Sequence, residues 1–323
     1  MILSKEEIAS LTASAEKADI ATREKIIQLL ELDKIERCKQ SFVAFATTMW
    51  PVFISGKHHQ IMAEAFERVA NGTLKRLIIN MPPRHTKSEF ASFLLPAWFL
   101  GKYPHKKIIQ TAHTAELAVG FGRKVRNLVQ SEEYQKVFDT KLSSDSKAAG
   151  RWNTHMGGDY FAIGVGGAVT GKGADLLIID DPHSEQEAKQ GNPAVYDHVY
   201  EWYTSGPRQR LQPGGAIIIV MTRWSTRDLT GQILKNAGKG GSDEWEVIEF
   251  PAILPSGTPL WPGFWKKEAL EALKAELPVG KWNAQYQQNP TSEEGAIIKR
   301  EHWQIWEKDK PPARDYLIQS WDT

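Results

Sequence analysis

Three short runs of branched apolar residues, Leu77-Ile78-Ile79, Leu176-Leu177-Ile178-Ile179 and Ile217-Ile218-Ile219-Val220, stand out in the chain, and each breaks off into polar residues. A strand with one wetted face alternates apolar and polar side chains. These runs do not alternate, so both faces must be covered, as in a parallel sheet held between helical layers. Helical spacing follows or precedes them: Phe90, Phe93, Leu94 and Ala97 after the first, Leu117, Phe121, Val125 and Leu128 within Thr114–Val129, then Ala194–Tyr203 and Thr226–Leu234. Lys107–Ala112 reads as a further strand. Strands alternating with helices imply parallel pairing through right-handed crossovers, an α/β fold. Open sheets of this kind bind ligands at the carboxyl ends of their strands, so the residues directly after each run matter most.

After the first run comes Asn80-Met-Pro-Pro-Arg-His-Thr-Lys-Ser-Glu89. Lys87 and Ser88 would open the next helix, where free backbone N–H groups and the helix dipole favour an anion. The phosphate-loop pattern G-x-x-x-x-G-K-[ST] requires glycine where this chain has Met81 and Thr86, so the stretch reads either as an irregular phosphate loop or as an ordinary polar turn. The second run ends in Asp180-Asp181-Pro182, carboxylates suited to a phosphate-bound Mg²⁺ or, alternatively, to a helix cap or turn. The third ends in Thr222-Arg223, a hydroxyl and a guanidinium that either sense a terminal phosphate or brace a sheet edge. Asp159–Lys172, rich in glycine, reads as a hairpin or a tight loop.

The bulk composition sets limits. With 323 residues, 41% hydrophobic and 24% charged, the chain is an ordinary globular protein with material for a large core. No apolar run approaches the ~18 residues of a membrane span. A formal net charge of +1 excludes a strongly basic, constitutive nucleic-acid binder but not local basic patches. One cysteine, Cys38, fits a reducing compartment, and no His/Cys spacing suggests zinc. The amino terminus carries Lys and Glu in place of an apolar leader.

Ser4-Lys-Glu-Glu7 is a capping box, and residues 1–40 read as an amphipathic helical arm. Residues 41–240 hold the sheet. Gln60, on a helix ahead of the loop, either reads an adenine edge or lies on the helix surface. Gly238-Lys-Gly-Gly241 marks a boundary or insertion, after which Trp245–Pro251 suggests one more strand and residues 241–316 a small subdomain with two helices. The tryptophans there, Trp261, Trp265, Trp282, Trp303 and Trp306, serve either base stacking or packing.

Taken together, Met81–Glu89, Leu176–Pro182, Val220-Met-Thr-Arg-Trp224 with Asp228-Leu-Thr-Gly231, Ala284–Pro290 and Gln319–Thr323 resemble, in order, the motifs of the large subunit of a tailed-phage terminase. The resemblance runs from about Phe42 to the last residue. It implies a P-loop NTPase of the additional-strand, RecA-like class, with a mainly parallel central sheet flanked by helices, a small linking subdomain, and the start of an RNase H-like nuclease at 317–323. ATP and Mg²⁺ are the implied cofactors. The implied function is ATP hydrolysis driving double-stranded DNA into a procapsid in the host cytoplasm, with a portal protein, a small terminase subunit and a ring of identical chains as partners and no membrane. Nuclease activity is expected to be absent, because Asp322 would supply only the first of several metal-binding carboxylates.

The resemblance also assigns roles. Pro83, Arg84, His85, Thr86, Lys87, Ser88 and Glu89 form the variant phosphate loop, Lys87 meeting the β- and γ-phosphates and Arg84 the γ-phosphate. Ser88 and Asp180 hold Mg²⁺. Asp181, where the family usually has glutamate, activates water, with Glu185 as substitute. Lys172 lies where some terminases place a trans-acting finger, with Arg151 and Arg223 as further candidates. Thr222 couples hydrolysis to movement, and His59 and Gln60 occupy the adenine-recognition position. The competing readings are another P-loop DNA-dependent ATPase or helicase, and a catalytically silent DNA-binding assembly subunit.

Overall fold

The computed structural model describes residues 2–189, 192–240 and 243–291. The apolar runs are the middle of one eight-stranded sheet. Its strands are β1 (Arg76–Asn80), β2 (Lys107–Ala112), β3 (Leu142–Ala148), β4 (Arg151–Thr154), β5 (Asp159–Gly164), β6 (Ala174–Asp180), β7 (Leu211–Met221) and β8 (Glu246–Glu249). They lie in the order β3-β4-β5-β2-β6-β7-β1-β8. The pairs from β5 through β8 are parallel; β3 and β4 form an antiparallel extension at one edge. β7 therefore sits between the strand that leads into the Lys87 loop and the strand that ends in Asp180, which makes it the additional strand.

Period-two geometry explains why the runs contain no polar residue. Leu77, Ile79, Leu176, Ile178, Ile218 and Val220 face one helical layer with Phe42, Phe66, Phe90 and Trp98. Ile78, Leu177, Ile179, Ile217 and Ile219 face the other, with Val199, Trp202 and Leu229. Each of these strand side chains is fully buried, and burying one stabilises the fold by roughly 1.5–3 kcal/mol before entropy is subtracted.

The arm consists of helices Lys5–Lys17 and Ile20–Gln40. Ser4 and Glu7 make the expected capping box, Ser4 N–H donating to Glu7 Oε2 at 2.6 Å and Glu7 N–H to Ser4 Oγ at 3.1 Å. The second helix joins the core only at its end, where Trp98 Nε1 donates to the Cys38 carbonyl at 2.8 Å. Among the described residues no helix is long and apolar enough to cross a membrane.

Two expectations change. Asp159–Lys172 is not a hairpin: Asp159–Gly164 is one strand, parallel to β2. The antiparallel turn comes earlier, joining β4 to β5 through Gly157 at φ 85°, where a side chain would be strained. The helix opened by Lys87 and Ser88 also passes at once into a π-turn, Glu89–Leu94, with Leu95 N–H bonding the Phe90 carbonyl, before the α-helix Leu95–Lys102. Pro96 accounts for it. Proline has no N–H for the Ser92 carbonyl and its ring would crowd that carbonyl in an α-turn.

Past the glycine-rich interval the main sheet continues, since β8 pairs with β1. Beyond β8, helices Lys267–Glu276 and Val279–Gln285 close over a small cluster of Ala252, Leu270 and Trp282. Residues 292–323, with Trp303, Trp306, Asp322 and the expected nuclease start, lie outside the described residues.

Candidate functional site

The tips of β1, β6 and β7 converge. Lys87 Nζ lies 2.7 Å from Asp181 Oδ2. Ser88 Oγ donates to Asp180 Oδ1 at 2.9 Å, and Ser92 Oγ to Asp180 Oδ2 at 2.7 Å. Thr222 joins the remaining tip: its N–H donates to Asp181 Oδ1 at 2.9 Å and its Oγ1 to the Met81 carbonyl at 3.1 Å. Lys87, Asp181 and Thr222 thus form one bonded set and Ser88 with Asp180 another, side by side in the chain at adjacent strand ends.

Asp180 is fully enclosed. Burial, then the neighbouring Asp181 charge, push its carboxyl up to about 7, against the opposing pull of Lys87 and the two serine hydroxyls. The turn that presents Asp181 is strained, with φ at 39°. Behind Asp180, Gln110 Nε2 donates to Ser92 Oγ at 3.0 Å. Sequence reasoning missed Ser92 and Gln110. Their signals were a serine one turn after Ser88 and an amide inside the apolar strand Ile108-Ile109-Gln110.

The loop solves its missing glycines without glycine. Arg84 and Thr86 both take left-handed backbone conformations, φ 61° and 70°, which is rare for a β-branched residue and costs on the order of 1–3 kcal/mol. His59 holds Thr86 there. Its Nδ1 accepts the Gly56 N–H at 2.8 Å, so the proton sits on Nε2, which donates to Thr86 Oγ1 at 2.7 Å. His85 Nδ1 donates to the Pro83 carbonyl at 2.8 Å, and its ring stacks on Trp265 at 5.8 Å. Burial holds these imidazoles neutral, His58 and His85 at about 4 and His59 far below its ordinary value.

Other expected site residues are placed elsewhere. Gln60 is exposed, its amide on Ser55 Oγ at 3.4 Å. Glu185 pairs with Lys281 at 2.7 Å. Glu89 does line the cleft described below, and pairs with Lys124 at 2.9 Å. Arg223 is a buried brace: its Nε lies 2.9 Å from Asp228 Oδ2, Nη1 3.5 Å from Glu249, and its N–H donates to Gln288 Oε1 at 3.2 Å. Lys172 pairs with Asp159 at 2.7 Å, at the amino end of β5, away from the tips. Arg151 is exposed on β4. Asp322 lies outside the described residues. His183, also missed, accepts the Leu229 N–H at 2.9 Å and is kept neutral by burial, at about 4.

Beside the loop opens a cleft of about 350 Å³, walled on one side by Arg84, Thr86, Lys87 and Ser88 and elsewhere by aromatic and aliphatic side chains. That is the size and character of a small-molecule pocket. The donor set suits a hard cation, since Ser88 Oγ and the Asp180 carboxylate are oxygen ligands already within 2.9 Å of each other.

The chain matches no protein-family model and no curated protein. Solved structures do match. The HK97 bacteriophage large terminase superposes with a TM-score of 0.53 at 15% identity, covering 78% of this chain and 55% of that one, so the chain spans about half of its length. An ATPase-domain mutant of the Thermus phage P74-26 large terminase gives a TM-score of 0.49 at 14% identity, over 76% of this chain and 97% of that one. The large terminase of the thermophilic bacteriophage D6E in complex with ADP gives 0.43 at 9% identity, over 69% and 52%. With β7 as the additional strand between β1 and β6, the chain has the RecA-like P-loop fold of a phage large terminase ATPase domain.

Proposed function

We propose that this chain is the ATP-hydrolysing part of a motor that moves double-stranded DNA into a viral procapsid in the host cytoplasm, working as a ring of identical chains with a portal protein and a small terminase subunit. The observation that carries the ATPase reading is the convergence of Lys87, Asp181 and Thr222 at three adjacent strand tips. In this reading Lys87 leaves Asp181 for the β- and γ-phosphates, and Arg84 meets the γ-phosphate from the cleft mouth. Ser88 and Asp180 are the residues that would hold Mg²⁺, which when bound would supply charge neutralisation on the phosphates. Asp181, freed from Lys87, orients a water and accepts its proton. Thr222, bonded both to Asp181 and to the start of the loop, reports the loss of the phosphate to β7. Catalysis here is positioning and electrostatics, which is what a preorganised cluster of short polar contacts provides.

The test is phosphate release from ATP by the full chain and by Lys87→Ala, with and without double-stranded DNA. Turnover should fall about 100-fold or more in the variant while its thermal midpoint stays within a few degrees. Equal turnover in both would remove the proposal.

A further inference from the structure

The cleft beside the loop has two chemically different ends. Its polar side chains belong to the phosphate loop, from Arg84 to Glu89. The far end is built from two aromatic pairs: Trp50 stacked on Phe53, centroids 5.2 Å apart at 29°, and Trp261 stacked on Phe264, 4.5 Å apart at 16°. The first pair precedes helix Lys57–Ala70 and the second follows β8, so opposite parts of the fold supply them. Phe264 is 52% exposed and Val52 82%, apolar surface at the cleft mouth that a flat ligand would cover.

What this end offers a base is surface, with little to read its edge. Gln60, the amide best suited to adenine, is turned onto Ser55. Among the described cleft residues the buried side-chain polar atom without a partner is Trp261 Nε1, which can only donate. Adenine and guanine share a flat face and the N7 acceptor and differ in their exocyclic groups. An apolar slot separates such near-isosteres weakly, whereas a slot that hydrogen-bonds the distinguishing group rejects the wrong one by about 10⁴-fold.

Resting on the nucleotide reading above, we infer that the cleft is a stacking slot that takes purine nucleoside triphosphates as a class, ATP and GTP alike. Stacking on an aromatic face is tolerant of base identity and grows with ring area, so pyrimidines are held less well. The segment around Trp261 and Phe264 is then part of the ligand site as well as part of the linking region.

The test is displacement of a fluorescent ATP analogue from the full chain in Mg²⁺ by ATP, GTP, CTP and inorganic tripolyphosphate. ATP and GTP should bind within about tenfold of each other and CTP more weakly than both. Phe264→Ala, at an exposed position, should weaken ATP and GTP by the same factor, about tenfold, and leave tripolyphosphate unchanged. A preference beyond tenfold for either purine overturns the inference, as does a Phe264→Ala effect on one purine alone or on neither. If neither nucleotides nor tripolyphosphate displace the analogue because it does not bind, the nucleotide reading itself fails.

Discussion

Asp181 and Glu185 were rivals for the water-activating role, and their surroundings separate them. Asp181 touches both Lys87 and the Thr222 N–H, while Glu185 is held by Lys281. Asp181→Asn should keep nucleotide binding and lower hydrolysis by about 100-fold or more, and Glu185→Gln should leave hydrolysis within about twofold; single-turnover assays on the two variants decide it. Aspartate is one methylene shorter than the glutamate expected at this place. The left-handed turn at Asp181 re-aims the shorter side chain toward the loop. The same device recurs at Thr86, where a hydrogen bond from His59 substitutes for the conformational freedom of glycine. Neither twist is legible in sequence, because both depend on partners far away in the chain.

The strands at the centre of the sheet were legible because burial on two faces leaves no choice of residue: Lys107–Ala112 was bounded correctly, and the apolar centres of β1, β6 and β7 were found. The edge was not. β3 carries Ser143, Ser144, Asp145 and Ser146, polar residues that an edge strand tolerates and that show no strand pattern. The helix Lys57–Ala70 carries Gln60 on its exposed side and buries its two histidines in the fold. His58, His59 and His85, with His183 across the sheet, are buried and neutral, their folded values lowered from an ordinary 6.5. The unfolded chain binds protons at these sites below about 6.5 and the folded chain does not until about 4, so stability is lost as pH falls through that window. Asp180 opposes this as one carboxyl with a raised value, since its contribution is lost as pH rises from about 4 towards 7. The four histidines outweigh it. Thermal midpoints should drop between pH 7 and pH 5, and His58→Gln should flatten that slope.

One of the buried points that tie the sheet to the region after it is Arg223. Arg223 at the β7 tip bonds Asp228, Glu249 at the end of β8 and Gln288 near the end of the described residues. Side chains of Arg223 and Asp228 are 8% and 0% exposed, and removing one partner of a buried pair costs about 3–5 kcal/mol. Arg223→Ala should therefore lower stability by about that amount and speed amide exchange around Trp224–Gly231 and β8, where its side-chain partners Asp228 and Glu249 lie, while β2 and β5 stay protected. Arg151→Ala, at an exposed edge position, should change stability by less than about 0.5 kcal/mol. A guanidinium at a strand tip could be assigned to a phosphate or to a brace from sequence; here the guanidinium lies on two carboxylates, Asp228 and Glu249, and the backbone N–H of the same residue on Gln288. Gly238 and Gly240 have positive φ, and the four-residue β8 beyond the glycine-rich interval pairs with β1 in the same sheet.

The bonding of Lys87 to Asp181 has a consequence for how fast a ligand arrives. A lysine already neutralised by a carboxylate 2.7 Å away adds little field beyond the cleft mouth, so long-range attraction of a polyanion is weak until the pair opens. Stopped-flow encounter with a fluorescent ATP analogue should then have a shallow dependence on ionic strength. In Asp181→Asn the uncompensated Lys87 charge should both raise the bimolecular rate constant and steepen its salt dependence, so the Asp181 carboxylate slows capture.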